Sequence, residues 1–459
     1  MKTEFLTRAR ACYSGKIYPV LVAALILIGY ATGLEVFFSV GMLATVVVGF
    51  LICQDIRFMI TPLFCTIFSV NATHSPNVPN YSDYYTQAWV IVTLAVTAVL
   101  LIGGLIFFLI HNRKSAQPLP QKGMLPGLLV FCVAVCANGL FSANYTVGNL
   151  LYAGTFLLAG ALVYWIFARH VKFDRDTPDY LMYCLTVAGL LICAQLLITY
   201  LTTVRFDING DVIKESVIVG WGVWTTVGGM LAFLMPACFY FVATRKHGWI
   251  GYLLGLLELF CILLSQSRGA LVVGGGVFVL CVLGTCLGGA YRKRNRWIAL
   301  GVLAFGGLGV CLLWGKILPL IQNFLNAGFG DNGRYDLWRI GWSNFLQNPI
   351  FGSGFYDSYV NQEWTLNVIP YMYHNTVIQF LGATGIVGSA AYAYHRLCTL
   401  RLVIRRPTVY KTFLAFCIVG LLIFSLLDVL LFNIYPLFYY ALMLLFMDRS
   451  NGMTTAKSA

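Results

Sequence analysis

Long apolar runs separated by short polar segments dominate the chain. Fourteen such runs occupy residues 18–33, 36–53, 58–70, 88–111, 124–143, 147–167, 180–201, 221–243, 249–264, 270–290, 297–314, 374–394, 412–433 and 435–447. About 20 apolar residues in a helix are enough to cross the hydrocarbon core of a bilayer. The pattern therefore predicts an all-α polytopic membrane protein with a bundle of about 12–14 transmembrane helices. We expect one integral membrane domain over residues 1–459.

Composition agrees with lipid as the solvent of most of the chain. Hydrophobic residues make up 59% of the 459 residues and charged residues only 10%, whereas soluble proteins are about 25% charged. The 14 Cys residues lie mostly singly inside the apolar runs, where a thiol behaves as a small hydrophobic group. No C-x-x-C pair is present, so the sequence supports neither a metal site nor a disulfide framework.

The distribution of basic residues predicts an orientation. With the N-terminus in the cytoplasm, the fourteen runs place 24 of the 30 Lys and Arg residues, and both termini, on the cytoplasmic side. Cytoplasmic loops are expected to carry this excess. Six basic residues remain outside: Arg205, Lys214, Arg268, Lys316, Arg334 and Arg339. Because the net charge of +13 is spread over many short loops, it does not form a nucleic-acid-binding patch.

The longest segment that is predicted to lie outside spans residues 315–373, and it is too long for a bare connector. It contains DNGRYDLWRIGWSNFLQNPIFGSGF (331–355), in which Trp338, Trp342 and Phe345 form an apolar stripe at helical spacing. The stripe predicts an amphipathic helix on the outer surface of the bundle, with its aromatic rings in the membrane interface.

The residues around this helix predict where it begins and ends. Asp331 or Asn332 is a suitable N-cap, and Pro349 stops the helix. Gly352 and Gly354 then allow a tight turn before the chain continues into an aromatic-rich stretch.

Residues suited to chemistry lie where helices are predicted to reach the outer surface. The segment CILLSQSRGALVVGGG (261–276) is apolar on both sides of Arg268. Arg334 lies in the first turn of the amphipathic helix, and His374 and Asn375 lie at the outer mouth of the next span. A guanidinium is permanently charged and binds phosphate oxygens bidentately. An imidazole, which ordinarily titrates near pH ~6.5, is suited to general base catalysis.

Three segments in this order resemble the O-antigen ligase and O-antigen polymerase family, polytopic membrane glycosyltransferases of the GT-C type. They are S-R-G at 267–269, G-R-x-x-x-W followed by P-x-x-G-x-G between 333 and 354, and H-N followed by G-x-x-G between 374 and 388. The resemblance covers about 250 to 400 of the chain. It implies an active site on the extracytoplasmic face of the cytoplasmic (inner) membrane of a bacterium.

The resemblance also implies the reaction and its residues. Such enzymes transfer a glycan from a polyprenyl (undecaprenyl) diphosphate donor to a sugar hydroxyl of a glycan or glycolipid acceptor. Arg268, Arg334 and His374 match the family's catalytic residues, and the two arginines are expected to bind the donor diphosphate. Three neighbours in the motifs are expected to support them: Trp338, Tyr373 and Asn375. Neither a metal nor another cofactor is expected.

Simpler interpretations stay open for individual residues. Arg268 can snorkel from a helix end, and Arg334 can be a solvated charge of a surface helix. His374 can be a structural histidine, or a residue that binds phosphate or acceptor rather than a base. Arg205 and Lys214 either assist donor binding or, more simply, are solvated charges balanced by acidic neighbours in their loop.

Residues inside or near the apolar runs also have two interpretations. Glu258 either supports Arg268 from the preceding helix or pairs elsewhere in the bundle, and Asp428 is expected to be structural or near the outer end of its span. Tyr373 is most simply an interface aromatic, with stacking on a sugar as the alternative. Gly228–Gly229 and similar pairs most simply permit close helix packing.

A transporter or a lipid-linked glycan flippase of similar span count is the main alternative. Such a protein is expected to carry its ionisable residues near mid-membrane, in broken helices of paired halves. The candidate residues here cluster at the predicted outer face instead. A catalytically silent scaffold of the same family is a third alternative, against which the intact Arg and His motifs speak. The motifs do not separate a ligase from a polymerase.

Overall fold

Helices form nearly all of the secondary structure, so the all-α polytopic class predicted from the sequence is confirmed. The structure is a computed structural model, and it describes residues 2–70, 87–120, 123–208, 212–312, 314–315, 318, 333–355 and 372–453. Within these ranges the strands are β1 (Ile218–Val219) and β2 (Gly222–Val223), an antiparallel hairpin that pairs Ile218 with Val223.

The helices of the described ranges follow one another with short connections. In chain order they are α1 (Lys2–Ser14), α2 (Ile17–Thr32), α3 (Glu35–Ile52), α4 (Ile60–Cys65), α5 (Ala88–His111), α6 (Leu125–Phe141), α7 (Val147–Phe156), α8 (Val163–His170), α9 (Thr177–Thr202), α10 (Trp224–Leu234), α11 (Pro236–Thr244), α12 (Ile250–Leu264), α13 (Arg268–Leu287), α14 (Arg292–Leu312), α15 (Arg334–Gln347), α16 (Thr376–Ile404), α17 (Val409–Phe424) and α18 (Ile434–Met453). A π-helical segment, Leu157–Leu162, joins α7 to α8. Short 3-10 turns lie at Ile56–Met59, Thr66–Ser69, Arg113–Ser115, Lys214–Ser216 and Leu430–Phe432.

Every one of the fourteen predicted runs coincides with a helical segment of the structure. Within the described ranges, seven segments are individually long and apolar enough to cross a membrane: Glu35–Ile52, Ala88–His111, Val147–His170, Thr177–Thr202, Trp224–Thr244, Arg268–Leu287 and Thr376–Ile404. The first two helices form a further candidate span that is bent by 69°. Four shorter apolar helical segments are Ile56–Ser69, Leu125–Phe141, Ile250–Leu264 and Val409–Phe424.

The predicted run at 412–433 is wrong as a single span, because its helix ends at Phe424. Ser425 explains the break. Its backbone carbonyl accepts hydrogen bonds from the backbone N–H of Thr376 at 3.0 Å and from the Thr376 hydroxyl at 2.6 Å. A carbonyl that accepts hydrogen bonds from another helix does not need an N–H group from the next turn of its own helix, so the helix can end there. Asp428 therefore lies in an irregular turn between α17 and α18.

The centre of the bundle is formed by α10, α11 and α18, whose residues are almost all buried. Close packing at the glycine pair Gly228–Gly229 is confirmed. A methyl group added at Gly228 would lie 2.6 Å from Cβ of Ala270 in α13, and one at Gly229 would overlap the ring of Phe424 in α17. This packing brings the second turn of α10 against the start of α13 and the end of α17.

A glycine-rich turn after α15 docks into a break in α16. Gly352 and Gly354 have φ values of +74° and +93°, so the tight turn predicted at these residues is confirmed. Gly385 interrupts α16 with a φ of +62°, which frees backbone groups that a continuous helix would use internally. The Gly354 N–H donates a hydrogen bond to the Ala383 carbonyl at 3.0 Å. This hydrogen bond joins the motif at 333–354 to the motif at 374–388.

Candidate active site

Arg268 begins α13 at the end of a tight polar turn. The hydroxyl of Ser267 caps the helix by accepting a hydrogen bond from the Ala270 N–H at 3.3 Å. Gln266 adopts a left-handed φ of +58°, and the buried Ser265 hydroxyl accepts a weak hydrogen bond from the Ser267 N–H at 3.4 Å. The turn reverses the chain within a few residues and leaves Arg268 exposed at its rim.

His374 directly precedes α16 and is held by the cap of that helix. Its φ is +50°, in the left-handed region that His adopts more readily than most residues. The Asn375 side-chain oxygen accepts hydrogen bonds from the N–H groups of Val377 at 2.9 Å and Ile378 at 3.2 Å. Its side-chain nitrogen donates to the Leu426 carbonyl at 3.1 Å. Asn375 therefore fixes His374 next to the turn that follows α17.

His374 forms a hydrogen bond with Asp428, with 3.0 Å between Nδ1 and Oδ1. The side chain of Asp428 is 17% exposed and that of His374 is 40% exposed. Burial raises the pKa of Asp428, but the hydrogen bond and the charge of His374, with a further hydrogen bond from Thr225, lower it below its usual value overall. An ionised Asp428 accepts the Nδ1 proton and leaves Nε2 of the imidazole as the proton acceptor.

The contact between His374 and Asp428 was not predicted from the sequence, because Asp428 was expected to be a structural residue or to lie near the outer end of its span. An acidic residue within an apolar run is nevertheless a signal, since such residues need a partner. The pair could not be assigned from sequence because 54 positions separate the two residues.

Arg268 and Asp428 lie in neighbouring turns. A methyl group on Gly269 would lie 3.2 Å from Cδ1 of Leu427, so the residue after Arg268 contacts the residue before Asp428. The first turn of α10 completes this corner, because Thr225 hydrogen-bonds Asp428. The structure thus brings the first predicted arginine and the predicted histidine to one end of the bundle.

Arg334 begins α15 and is half-buried. The N-cap is Gly333, with a φ of +79° and no side-chain hydrogen bond. The prediction that Asp331 or Asn332 caps the helix is therefore wrong; both residues lie outside the described part of the chain. Glycine adopts positive φ at little steric cost. The residue before α15 is therefore in the left-handed conformation, whereas an N-cap residue is usually extended and caps the helix with its side chain.

Tyr373 docks α15 against the start of α16. The residue is 1% exposed, and its hydroxyl accepts a hydrogen bond from Nδ2 of Asn344 at 2.7 Å. A methyl group at Gly341 would lie 3.1 Å from the Tyr373 ring. The expectation of an interface aromatic at Tyr373 is therefore wrong, because the ring fills the contact between the two helices. Since His374 is the next residue, this contact holds α15 beside the imidazole.

The amphipathic helix predicted over this segment is present, but its aromatic stripe is only partly covered. Trp338 and Phe345 are half-buried, whereas Trp342 is 47% exposed. The Trp338 ring meets the edge of Tyr335 with 5.3 Å between centroids. A supporting role for Trp338 and a position of these rings in the membrane interface stay predictions.

Lys214 is not the solvated charge that the sequence favoured. It is half-buried in a 3-10 turn, with Nζ 4.9 Å from the centroid of the Trp224 ring. Burial lowers the pKa of Lys214, and the positive charges of Arg268 and Arg334 lower it further against the opposing effect of Glu215. Trp224 begins α10 and the next residue, Thr225, hydrogen-bonds Asp428, so the Lys214 turn lies at the same end of the bundle as the Arg268 turn.

Glu258 lies apart from this cluster, and the structure does not bring it to Arg268. It is fully buried in α12, and one carboxylate oxygen would lie 2.6 Å from a methyl group at Gly189 of α9. Within the described ranges neither carboxylate oxygen has a hydrogen-bond partner. The carboxyl group therefore faces α9 inside the bundle and not the site.

The arrangement joins groups that bind anions to a group that accepts a proton. Lys214, Arg268 and Arg334 supply positive charge, and the His374–Asp428 pair supplies an oriented imidazole. Across the part of the chain that the structure describes, no three His, Cys, Asp or Glu side chains are placed to hold a metal ion; metal independence stays a prediction. Such a set of groups suits a phosphate-bearing substrate and a hydroxyl that loses its proton.

Comparisons with known proteins agree with the motifs. Residues 253–393 match the family model described as O-antigen ligase. The chain is also 25% identical to the exopolysaccharide production protein ExoQ of Rhizobium meliloti (strain 1021) over 161 residues, which is 32% of this chain and 37% of that protein. The match thus spans little more than a third of the relative's length. The resemblance stated from the motifs is confirmed, and the matches support a polysaccharide-related, glycosyltransferase-like function in a multi-pass membrane protein.

Proposed function

Because residues 253–393 carry the O-antigen ligase match, we propose that this protein is a membrane glycosyltransferase of that family. It transfers a glycan from a polyprenyl diphosphate donor to a sugar hydroxyl of a glycan or glycolipid acceptor, without a metal. The reaction takes place on the extracytoplasmic face of a bacterial cytoplasmic membrane, with both termini in the cytoplasm. The contact between the Arg268 turn and the turn that carries Asp428 is the observation behind this proposal, because it joins an anion-binding group to a proton acceptor.

Arg268 and Arg334 bind the donor diphosphate. Each is the first residue of its helix, where the helix dipole adds to the attraction for an anion. When the bond between the anomeric carbon and the diphosphate oxygen breaks, the leaving group takes the electron pair and gains negative charge. Guanidinium groups fixed beside that oxygen stabilise the charge as it develops.

His374 accepts the proton of the acceptor hydroxyl through Nε2. The acceptor oxygen forms the new bond to the anomeric carbon as its proton moves to the imidazole. Asp428 holds Nδ1 at 3.0 Å and stabilises the imidazolium that forms, in the way that a buried carboxylate does in a hydrolase triad. The His374 side chain stays 40% exposed, so Nε2 can meet an acceptor that arrives from outside.

Purified protein in liposomes tests this proposal. Supplied with a polyprenyl diphosphate-linked glycan and an acceptor glycolipid, the wild type is expected to form glycosylated acceptor and free polyprenyl diphosphate in equal amounts. We expect His374→Ala to slow transfer by about 10²–10⁴-fold. Arg268→Ala and Arg334→Ala are expected to slow it by about 10²–10³-fold each.

Two variants serve as matched controls. Arg339→Ala removes an exposed arginine of the same helix as Arg334, and His247→Ala removes an exposed histidine of the α11–α12 loop. Both are expected to transfer glycan at the wild-type rate. Wild-type activity in the three site variants would contradict the assigned roles. Movement of intact donor across the liposome without transfer would favour the flippase alternative.

A further inference from the structure

We infer that Lys214 is a third cation of the donor diphosphate site, contributed by the loop between α9 and α10. This inference rests on the proposed function, since the ligand is the diphosphate that Arg268 and Arg334 are proposed to bind. Lys214 lies outside the segment that matches the O-antigen ligase family, which begins at residue 253.

The loop holds Lys214 in a defined turn. The Ile213 N–H donates a hydrogen bond to the Arg205 carbonyl at 2.9 Å, and the Val217 N–H donates to the Lys214 carbonyl at 3.0 Å. The Ser216 hydroxyl accepts from the Arg205 N–H at 2.9 Å. Because hydrogen bonds fix the backbone before and after Lys214, the Lys214 side chain can reach only a limited region.

That region is the corner of the bundle that holds the site. The Lys214 ammonium lies 4.9 Å from the centroid of the Trp224 ring, a distance at which a cation is attracted to an aromatic face. Trp224 begins α10, and the next residue, Thr225, hydrogen-bonds Asp428. The Trp224 ring therefore holds the ammonium at the start of α10, the helix turn whose Thr225 contacts Asp428.

The charges around Lys214 favour an anionic ligand. Burial lowers the pKa of Lys214, and the positive charges of Arg268 and Arg334 lower this pKa further. Glu215, an exposed carboxylate, has the opposite effect. Both guanidinium charges repel the Lys214 ammonium, and this repulsion is relieved when a multiply charged anion binds to all three cations. A diphosphate is such an anion, and its size suits contact with more than two cationic groups.

Charge-removing and charge-keeping variants test the inference. Lys214→Met keeps an apolar stem over Trp224 but loses the charge, whereas Lys214→Arg keeps the charge. We expect Lys214→Met to raise the donor KM on the order of tenfold with a smaller change in kcat, because a charge-assisted contact to the ground-state diphosphate is lost. Lys214→Arg is expected to restore most of the affinity. Arg205→Ala, which removes an exposed cation of the same loop, is the matched control and should leave KM unchanged.

Binding of inorganic pyrophosphate to the full-length protein in detergent, measured by calorimetry, gives a second result that does not depend on turnover. Affinity is expected to fall on the order of tenfold in Lys214→Met and to recover in Lys214→Arg. Equal impairment of both variants would show a structural role and overturn the inference, as would wild-type values in Lys214→Met. If the wild type binds pyrophosphate with this dependence but transfers no glycan, the proposed function fails and the cation site stands.

Discussion

Among single residues, Asp428 determines which nitrogen of the His374 imidazole carries the proton. A neutral imidazole can carry its proton on either ring nitrogen, and the hydrogen bond from Nδ1 to Asp428 selects the tautomer that leaves Nε2 as acceptor. Arg268, Arg334 and His374 could be singled out from sequence because each lies in a short motif that resembles the family, and their catalytic roles stay predictions. Asp428 and Lys214 could not, because their roles depend on contacts between distant parts of the chain.

Replacing Asp428 by Asn tests its positioning role. The amide has nearly the same shape but carries no charge, so it neither selects the tautomer nor stabilises the imidazolium. We expect kcat to fall by about 10²–10⁴-fold, with the donor KM nearly unchanged and the acid limb of the rate–pH profile displaced. A variant with the kcat and pH profile of the wild type would contradict a role through His374.

The lowered pKa of Asp428 also predicts how stability depends on pH. A carboxyl group whose pKa is lower in the folded state contributes stability above its unfolded pKa of about 3.9, and the contribution is lost as pH falls through the folded value. Wild-type protein in detergent should therefore be more stable than Asp428→Asn at pH 7, and the difference should narrow below about pH 4. Thermal unfolding of both proteins at the two pH values measures this. A difference that stays constant into acid would show that the charge of Asp428 adds no stability.

At the scale of elements, the site depends on how α15, α16 and α17 meet. The turn after α15 enters the break at Gly385, Tyr373 docks α15 on α16, and Ser425 accepts hydrogen bonds from Thr376. The apolar pattern predicted the helices but not these contacts. The run at 412–433 is apolar except for a few single polar residues, so the contact of Ser425 with another helix is what marks the end of α17.

A methyl group at Gly385 should undo the docking of the turn. The residue has a φ of +62°, and an added Cβ would lie 2.5 Å from the Ile350 carbonyl oxygen. We expect Gly385→Ala to lower the free energy of unfolding by on the order of 1–3 kcal/mol and to reduce transfer.

Gly275→Ala is the matched control for this substitution. Gly275 lies inside α13, and no atom would lie within 4 Å of an added Cβ. Its replacement should be neutral or stabilise by up to about 1 kcal/mol. Equal thermal stability of the Gly385 and Gly275 variants would contradict the importance of the break.

At the scale of the whole molecule, hydrophobicity and charge predicted the class of the protein and the order of its helices. All fourteen runs contain helix, although the helix in the run at 412–433 ends at Phe424, because in lipid the backbone must satisfy its hydrogen bonds within the segment. The sidedness of the membrane stays a prediction from the distribution of Lys and Arg. The predicted outer loop at 315–373 lies largely outside the described residues, with α15 as its main described part.

Cysteine labelling in spheroplasts tests this sidedness. Ser343→Cys in α15 and His247→Cys in the α11–α12 loop both replace exposed residues. They are made in a background where the exposed Cys12 and Cys311 are replaced by serine. A membrane-impermeant maleimide should label position 343 in intact spheroplasts and position 247 only after lysis. The reverse pattern would place the candidate site in the cytoplasm.

An experimental structure of the protein with polyprenyl diphosphate bound decides whether the two arginines and His374 form one site. We expect phosphate oxygens within about 2.7–3.0 Å of nitrogen atoms of both Arg268 and Arg334. We also expect Nε2 of His374 to face the space next to the terminal phosphate, which carries the glycan in the donor, with Nδ1 still on Asp428. A diphosphate bound away from the two arginines, or an imidazole turned away from it, would show that these residues do not form the donor site.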